Sequence, residues 1–115
     1  MKEFSRNRRV GEQIQRELAS IISREIRHPD LGMITISAAD VSPDLKFARI
    51  YVTVLGGKFD AEQTIEYLNL EVKRIRHALS KCLTIRVTPR LVFVYDSSTE
   101  YGNRLSALID SVKKQ

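Results

Sequence analysis

The chain has 115 residues, a net charge of +5, a sequence pI of about 9.6 and one cysteine, Cys82. This length suits one domain with a single core, and a lone cysteine excludes both an internal disulfide and a cysteine-based zinc cluster. The apolar runs are far shorter than the ~20 residues of a membrane span, and the basic start MKEFSRNRRVGEQ is not followed by the apolar segment of a secretory signal. We therefore expect a cytoplasmic protein without a membrane span, whose positive charge favours an anionic partner such as nucleic acid.

The first element is predicted to be an amphipathic helix over about Arg8–Ile26. Apolar residues between Val10 and Ile22 recur at helical spacing, which gives the helix one apolar side. His28 precedes Pro29, and the residue before a proline is pushed out of the α region of backbone space. The helix is therefore expected to end before this pair.

The next two elements are predicted to form a β-hairpin. Met33–Val41 and Lys46–Leu55 both alternate between apolar and polar residues, and Pro43 and Asp44 lie between them. Proline pre-sets the backbone for a turn, and aspartate favours local hydrogen bonding there. The side chains predicted to point inward are Ile34, Ile36 and Ala38 on the first strand, and Ala48, Ile50, Val52 and Val54 on the second.

The second half of the chain is predicted to contain helix, strand and helix. Gly56-Gly57 ends the hairpin, and the apolar stripe over Asp60–Ser80 indicates one long helix or two helices placed end to end. Alternation over Thr84–Tyr95 predicts a third strand. Ser97 begins a Ser-x-x-Glu capping box, so residues 96–115 are expected to form a C-terminal helical extension of a single domain that spans residues 1–115.

The order α-β-β-α(α)-β-α indicates an α+β domain, with a three-stranded sheet, helices on one of its faces and a C-terminal helix. This order matches the type II KH arrangement, which is an RNA-binding module. Such modules carry a Gly-x-x-Gly loop between two helices. Gly56-Gly57 instead precedes the long helix, so we expect a KH-like domain without that loop. The predicted core consists of Ile14, Leu18, Ile21, Ile50, Val52, Leu68, Val72, Ile75, Leu79, Ile85, Val87, Leu91 and Phe93.

Positive charges cluster on two adjacent predicted elements. Arg74, His77 and Lys81 lie at i, i+3 and i+7 on the long helix and form one stripe. Arg86 and Arg90 share the outward face of the third strand. The inward face of that strand is predicted to hold Ile85, Val87, Leu91, Phe93 and Tyr95. This layout is typical of a surface that binds the phosphates of a nucleic acid, and the alternative is a solvated helix face.

Two further surfaces are candidates for RNA contact. The first is a basic N-terminal arm that consists of Arg6, Arg8 and Arg9. The alternative for this arm is a frayed chain terminus. The second is a base-stacking platform on the open sheet face that consists of Phe47, Arg49 and Tyr51. The alternative for these side chains is that they only cover the apolar surface of the sheet.

No pattern in the sequence suits catalysis. His28 and His77 are the two histidines and lie on separate elements, and no nucleophile–base pair, glycine-rich phosphate loop or carboxylate pair is evident. Cys82 follows the long helix and is most simply a small buried apolar residue. We therefore expect no enzymatic activity, no metal, no cofactor and no small-molecule substrate.

Three stretches carry a resemblance to a known family, and together they span nearly the whole chain. They read RRVGEQIQRELASIISREIRHPDLGMITI over Arg8–Ile36, DVSPDLKFARIYVTV over Asp40–Val54 and RVTPRLVFVYDSS over Arg86–Ser98. Further matching positions are Gly102, Arg104, Leu105 and Ile109. In order and spacing, these stretches resemble the bacterial ribosome-binding factor A (RbfA) family.

The resemblance implies a KH-like domain whose long helical segment is divided by an Ala-x-Gly kink. The corresponding position in this sequence is Glu71-Val72-Lys73, which has neither the alanine nor the glycine. Three alternatives follow for this segment: a shallower kink, a kink shifted toward Ser80, or none.

The resemblance also implies a non-enzymatic, monomeric maturation factor. Its partners would be the immature 30S ribosomal subunit and 16S rRNA, and it would support 5′-end processing of that RNA, most of all in the cold. The alternative is a general single-stranded RNA-binding or protein-interaction α+β module. Salt dependence distinguishes an RNA binder from an apolar interface, because an RNA binder releases counterions from phosphates and loses affinity as salt rises.

Overall fold

The structure, a computed structural model, describes residues 2–97, with side chains from residue 6 onward. Its elements are α1 (Lys2–Glu25), β1 (Met33–Val41), β2 (Phe47–Leu55), α2 (Ala61–Leu70), α3 (Val72–Ser80) and β3 (Arg90–Tyr95). This order confirms the predicted α-β-β-α(α)-β arrangement. The helix predicted over 96–115 lies beyond the described residues except at its first two positions. Within residues 2–97, no helix has the length and apolar character that a membrane span needs.

The three strands form one sheet in the order β1-β2-β3. Strands β1 and β2 pair antiparallel across their short turn, and β3 pairs with β2 in parallel. A parallel neighbour requires a crossover connection, which the α2–α3 segment supplies. The predicted three-stranded α+β fold is confirmed.

The core lies between the helices and one face of the sheet. The buried members of the predicted core are Ile14, Leu18, Ile21, Ile50, Val52, Leu68, Ile75, Leu79, Leu91 and Phe93. Val72 and Ile85 are partly buried against them. Val87 was predicted to lie in the core and is 64% exposed, so that prediction is wrong.

A β-bulge in β1 changes which residues face the core. Ile36 pairs with Val52 and Ala38 pairs with Tyr51, so Ser37 is an extra residue to which no residue of β2 is matched in the register. The extra residue reverses the alternation beyond it. Ala38 was predicted to point inward, but beyond the bulge the inward side chains are those of Ala39 and Val41.

The third strand is shorter than predicted because Pro89 interrupts it. Proline has no backbone N–H, so it cannot donate to a neighbouring strand. The first backbone hydrogen bond of β3 is made by the Arg90 amide. It donates to the carbonyl of Lys46, the residue just before β2, at 2.9 Å. The residues before Pro89 therefore form a loop, and Val87 lies on that loop rather than on the inward face of a strand. Tyr95, also predicted to point inward, is the last residue of β3 and is 46% exposed.

The long helical segment breaks at Glu71, so the alternative of two helices placed end to end is confirmed. Glu71 has φ −93° and ψ 9°, which ends α2 and begins α3 although neither alanine nor glycine is present. Hydrogen bonds continue through the break, because the Glu71 amide donates to the Tyr67 carbonyl at 3.1 Å and its carbonyl accepts from the Ile75 amide at 3.0 Å. The helical segment is therefore interrupted at this position without the residues of the family motif.

Helix α1 crosses β1 at a very short distance, and Gly11 makes this approach possible. A Cβ atom built on Gly11 would lie 2.6 Å from the carbonyl oxygen of Ala39. A real Cβ does not approach a backbone oxygen so closely, so an added methyl group must push the helix away from the strand. The same region is held by the Asn7 side-chain amide, which donates to the Val41 carbonyl at 2.8 Å.

We predict that Gly11→Ala destabilises the fold by about 1–3 kcal/mol, because the methyl group overpacks the α1–β1 contact. Alanine normally stabilises a helix interior over glycine by roughly 0.5–1 kcal/mol, so the expected sign is the opposite of the helix propensity. Urea unfolding measures the change. Ala19→Gly, at an exposed position of the same helix, is the control and should lose about 0.5–1 kcal/mol. A Gly11→Ala protein as stable as the wild type would contradict the close approach.

Candidate nucleic-acid interface

A groove of about 760 Å³ lies between α3, the loop that follows it and the start of β3. We call it the basic groove, and its lining residues are Val72, Lys73, Arg76, His77, Ser80, Arg86, Val87, Thr88, Arg90 and Leu91. Four of these side chains, Lys73, Arg76, Arg86 and Arg90, are cations at neutral pH. No carboxylate is among the lining residues. The groove therefore concentrates positive charge that no neighbouring acid in its wall neutralises.

One wall of the basic groove is a single face of α3. Lys73, Arg76, His77 and Ser80 follow the i, i+3, i+4, i+7 spacing and therefore lie side by side on the helix. The opposite face of α3 buries Ile75 and Leu79 in the core. This burial fixes the rotation of the helix and thereby points the polar stripe into the groove.

The other wall is the loop before β3 together with the first residue of that strand. Arg86 and Val87 are exposed on the loop, and Arg90 is exposed where β3 begins. The loop is attached to α3 by Arg76, whose Nε donates to the Pro89 carbonyl at 3.1 Å and whose Nη2 donates to the Thr88 carbonyl at 2.6 Å. One side chain thus holds the two walls together.

The structure brings three of the predicted residues together, namely His77, Arg86 and Arg90. Arg86 and Arg90 were predicted to share one strand. That part of the prediction is wrong, because Arg86 lies on the loop before β3. Arg74 and Lys81 are exposed but do not line the groove, since they belong to the neighbouring stripe of α3 and its C-terminal cap.

Lys73 and Arg76 line the groove and were missed by the sequence analysis. Both lie at helical spacing from His77, so the i, i+3, i+4 pattern of Lys73, Arg76 and His77 was the available signal. The contacts of Arg76 with the loop had no signal in the sequence, because they join residues twelve and thirteen positions apart across a loop without regular structure.

The basic residues near the N-terminus lie on helix α1 and not on an extended arm. Arg6, Arg8 and Arg9 are all exposed. Arg8 lines a separate depression beside Asp40 of β1. Arg9 lies one turn before Gln13, whose side-chain amide donates to the Cys82 carbonyl at 3.4 Å just past α3. The structure therefore places Arg8 and Arg9 on different sides of α1, with Arg9 toward the end of α3.

The open sheet face carries the second candidate surface. Phe47 is 55% exposed, and Arg49 and Tyr51 follow it along β2 on the same face. A hydrogen bond to Tyr51, together with the nearby charge of Asp40, raises the pKa of Arg49. Asp40 pairs with Arg49 across the strands. Arg49 therefore has a carboxylate on the neighbouring strand, whereas no carboxylate lines the basic groove, which makes the open face the weaker site for a polyanion.

Among residues 2–97, no group of three or more His, Cys, Asp and Glu side chains is placed to hold a metal ion. His28 stacks 4.6 Å from the Phe59 ring, and its Nδ1 accepts from the Asp30 amide at 3.0 Å. These contacts explain His28 as a structural residue.

Cys82 is half-buried rather than buried as predicted. Its Sγ lies 3.6 Å from the Ala78 carbonyl. A hydrogen bond to the Glu17 carboxylate, with a contribution from desolvation, raises the pKa of the Cys82 thiol. A raised pKa keeps the thiol protonated near neutral pH, and a protonated thiol is a poor nucleophile.

We predict that Glu17→Gln speeds alkylation of Cys82 by iodoacetamide at pH 8. Removing the carboxylate lowers the thiol pKa and raises the fraction of thiolate at pH 8, so the alkylation rate should rise. Mass spectrometry of the modified chain gives the rate. Glu12→Gln, at an exposed position of α1, should leave the rate unchanged. Equal rates in the Glu17 and Glu12 variants would contradict the contact between Glu17 and Cys82.

Comparison with known protein sequences identifies a family that the chain resembles along most of its length. The sequence model of the family described as Ribosome-binding factor A matches residues 6–109. A Ribosome-binding factor A from Nitrosococcus oceani is 49% identical over 115 residues, which cover 99% of this chain and 91% of the relative. One from Ectopseudomonas mendocina is 46% identical over 112 residues, covering 95% and 87%.

Solved structures show the same likeness. The crystal structure of ribosome-binding factor A from Thermus thermophilus matches with a TM-score of 0.70 and 26% identity, covering 77% of this chain and 93% of that one. A homology model of the Thermus thermophilus factor, fitted into a cryo-EM map of a 30S–RbfA complex, matches with a TM-score of 0.64 and 27% identity, covering 73% and 88%. The chain described above belongs to the ribosome-binding factor A family.

Proposed function

We propose that this chain is a ribosome-binding factor that binds the immature 30S subunit through 16S rRNA, with the basic groove as its principal contact. The observation that carries the proposal is the groove itself, which gathers four cations and no carboxylate in its lining. Family membership supports it, as does the related Thermus thermophilus factor, which was fitted into the map of a 30S complex.

The chemistry of the basic groove suits an RNA backbone. Lysine and arginine bind phosphate oxygens, and each contact releases counterions from the nucleic acid. Phosphate contacts position a protein on RNA without reading its sequence. Val72, Val87 and Leu91 give the groove an apolar part on which a ribose or an unstacked base can lie. The groove therefore fits RNA better than it fits a small anion alone.

The proposal assigns different roles to the predicted contact residues. His77, Arg86 and Arg90 line the groove and are assigned to direct phosphate contact. Arg74 and Lys81 lie on the adjoining stripe and are assigned to flanking contacts. The positive surface is extended at longer range by the arginines near the start of α1, Arg6, Arg8 and Arg9.

The proposal includes the mode of action. The chain acts by binding and not by catalysis, as a cytoplasmic monomer without a cofactor, and it supports processing of the 16S rRNA 5′ end, above all in the cold. These finer statements rest on the family resemblance. The half-buried, protonated thiol of Cys82 and the packed ring of His28 are consistent with a role that uses no reactive side chain.

We predict that Arg86→Ala with Arg90→Ala weakens co-sedimentation with immature small subunits and flattens its salt dependence. Each lost phosphate contact should reduce the slope of log affinity against log salt by roughly one unit, so the double variant should lose about two. Affinity is measured between about 50 and 200 mM salt, where the electrostatic contribution changes strongly. The folding transition should move by less than about 0.5 kcal/mol, because both side chains are exposed.

The control is Arg16→Ala with Arg24→Ala, which removes the same charge from exposed positions on α1 that lie outside the groove. This control should keep nearly the wild-type slope. Arg74→Glu with Lys81→Glu should weaken binding less than the same reversals at Arg86 and Arg90. Wild-type affinity that does not change with salt would favour the alternative of an apolar protein interface and overturn the proposal.

A further inference from the structure

Arg76 differs from the other cations of the basic groove in how it is held. Lys73, Arg86 and Arg90 are exposed, whereas Arg76 is half-buried and makes two hydrogen bonds to backbone carbonyls, at 3.1 Å to Pro89 and 2.6 Å to Thr88. Within the described part of the chain, no carboxylate forms an ion pair with it. Its charge is therefore fixed in position without being neutralised.

The geometry of these bonds leaves part of the guanidinium available. A guanidinium has five N–H donors in a rigid plane. The two bonds use Nε and Nη2, which share one edge of that plane. The adjacent edge, formed by Nη1 and the second N–H of Nη2, makes neither of these bonds. Two parallel N–H groups on one edge are the arrangement that binds a phosphate through two oxygens.

Holding the side chain in advance favours binding. An exposed lysine or arginine loses rotamer freedom when a ligand immobilises it, and this loss lowers the net affinity. Arg76 has already lost this freedom to the Thr88 and Pro89 carbonyls. The entropy of ordering the Arg76 side chain is therefore lost during folding and not during binding. A phosphate contact at Arg76 accordingly contributes more net affinity than one at Lys73.

We propose that Arg76 is the phosphate-binding anchor of the basic groove, with one edge of its guanidinium clamping the loop before β3 and the adjacent edge holding one RNA phosphate. The proposal rests on the proposed function, because it assumes that RNA occupies the groove. Phosphate binding and the order of the loop are then coupled, since the same planar group serves both. Arg86 and Val87, which the loop carries, are thereby held beside the bound phosphate.

The test compares Arg76→Lys with Lys73→Ala in the full chain, using co-sedimentation with immature small subunits. Arg76→Lys keeps the charge but loses the planar fork, so affinity should fall roughly tenfold while the salt slope changes by less than about one unit. Lys73→Ala removes a charge from the same wall and should lower the slope by roughly one unit with a smaller loss of affinity. An Arg76→Lys protein that binds as tightly as the wild type would overturn the anchor.

A second measurement separates the phosphate contact from the clamp. In the wild-type chain, the side-chain N–H resonances of Arg76 should shift and exchange more slowly with water when a single-stranded RNA hexanucleotide is added. Unchanged resonances at saturating RNA would overturn the proposal even if Arg76→Lys weakens binding, because clamping alone would then explain the loss. If the wild-type chain fails to bind small subunits, the proposed function itself is wrong. If the wild type binds small subunits and Arg76→Lys binds them equally tightly, only the proposal for Arg76 is wrong.

Discussion

The basic groove depends on the attachment of the broken helix to the third strand at two points. Before the break, the Asn69 side chain donates to the Phe93 carbonyl at 3.1 Å and accepts from the Phe93 amide at 3.0 Å, as a neighbouring strand would. After the break, Arg76 holds the carbonyls just before β3. The break at Glu71 lies between these two attachments, so α2 and α3 each make their own contact with the third strand or the loop before it.

In the proposed interface, this attachment favours electrostatic contacts over contacts that read the base sequence. With Asn69 bonded to both backbone groups of Phe93, that part of the β3 edge has no free donor or acceptor for a nucleobase or a peptide. What the wall offers instead is charge, held in position by Arg76 and unopposed by any carboxylate in the lining. On the open sheet face the positive charge is opposed by a carboxylate, because Asp40 lies across from Arg49. Contacts of this kind favour a factor that recognises a folded RNA surface by the positions of its phosphates.

Apolar periodicity was enough to predict the element order, the hairpin and most of the core, because each depends on burial that repeats along the chain. It failed where one residue changed the alternation. Two successive alanines hide the bulge at Ser37, and Pro89 ends an alternation that otherwise reads as strand. The site was predictable only in part. His77, Arg86 and Arg90 were predicted to lie near one another, whereas Arg76 looked like any solvated helix residue until its contacts with the loop were known.

The central claim is that RNA of the small subunit lies in the basic groove. Ultraviolet cross-linking of the chain to immature small subunits, followed by mass spectrometry of the RNA-bearing peptides, tests it most directly. The account predicts adducts on α3 and on the loop and strand start up to Arg90. Adducts confined to the open sheet face between Phe47 and Tyr51 would contradict it.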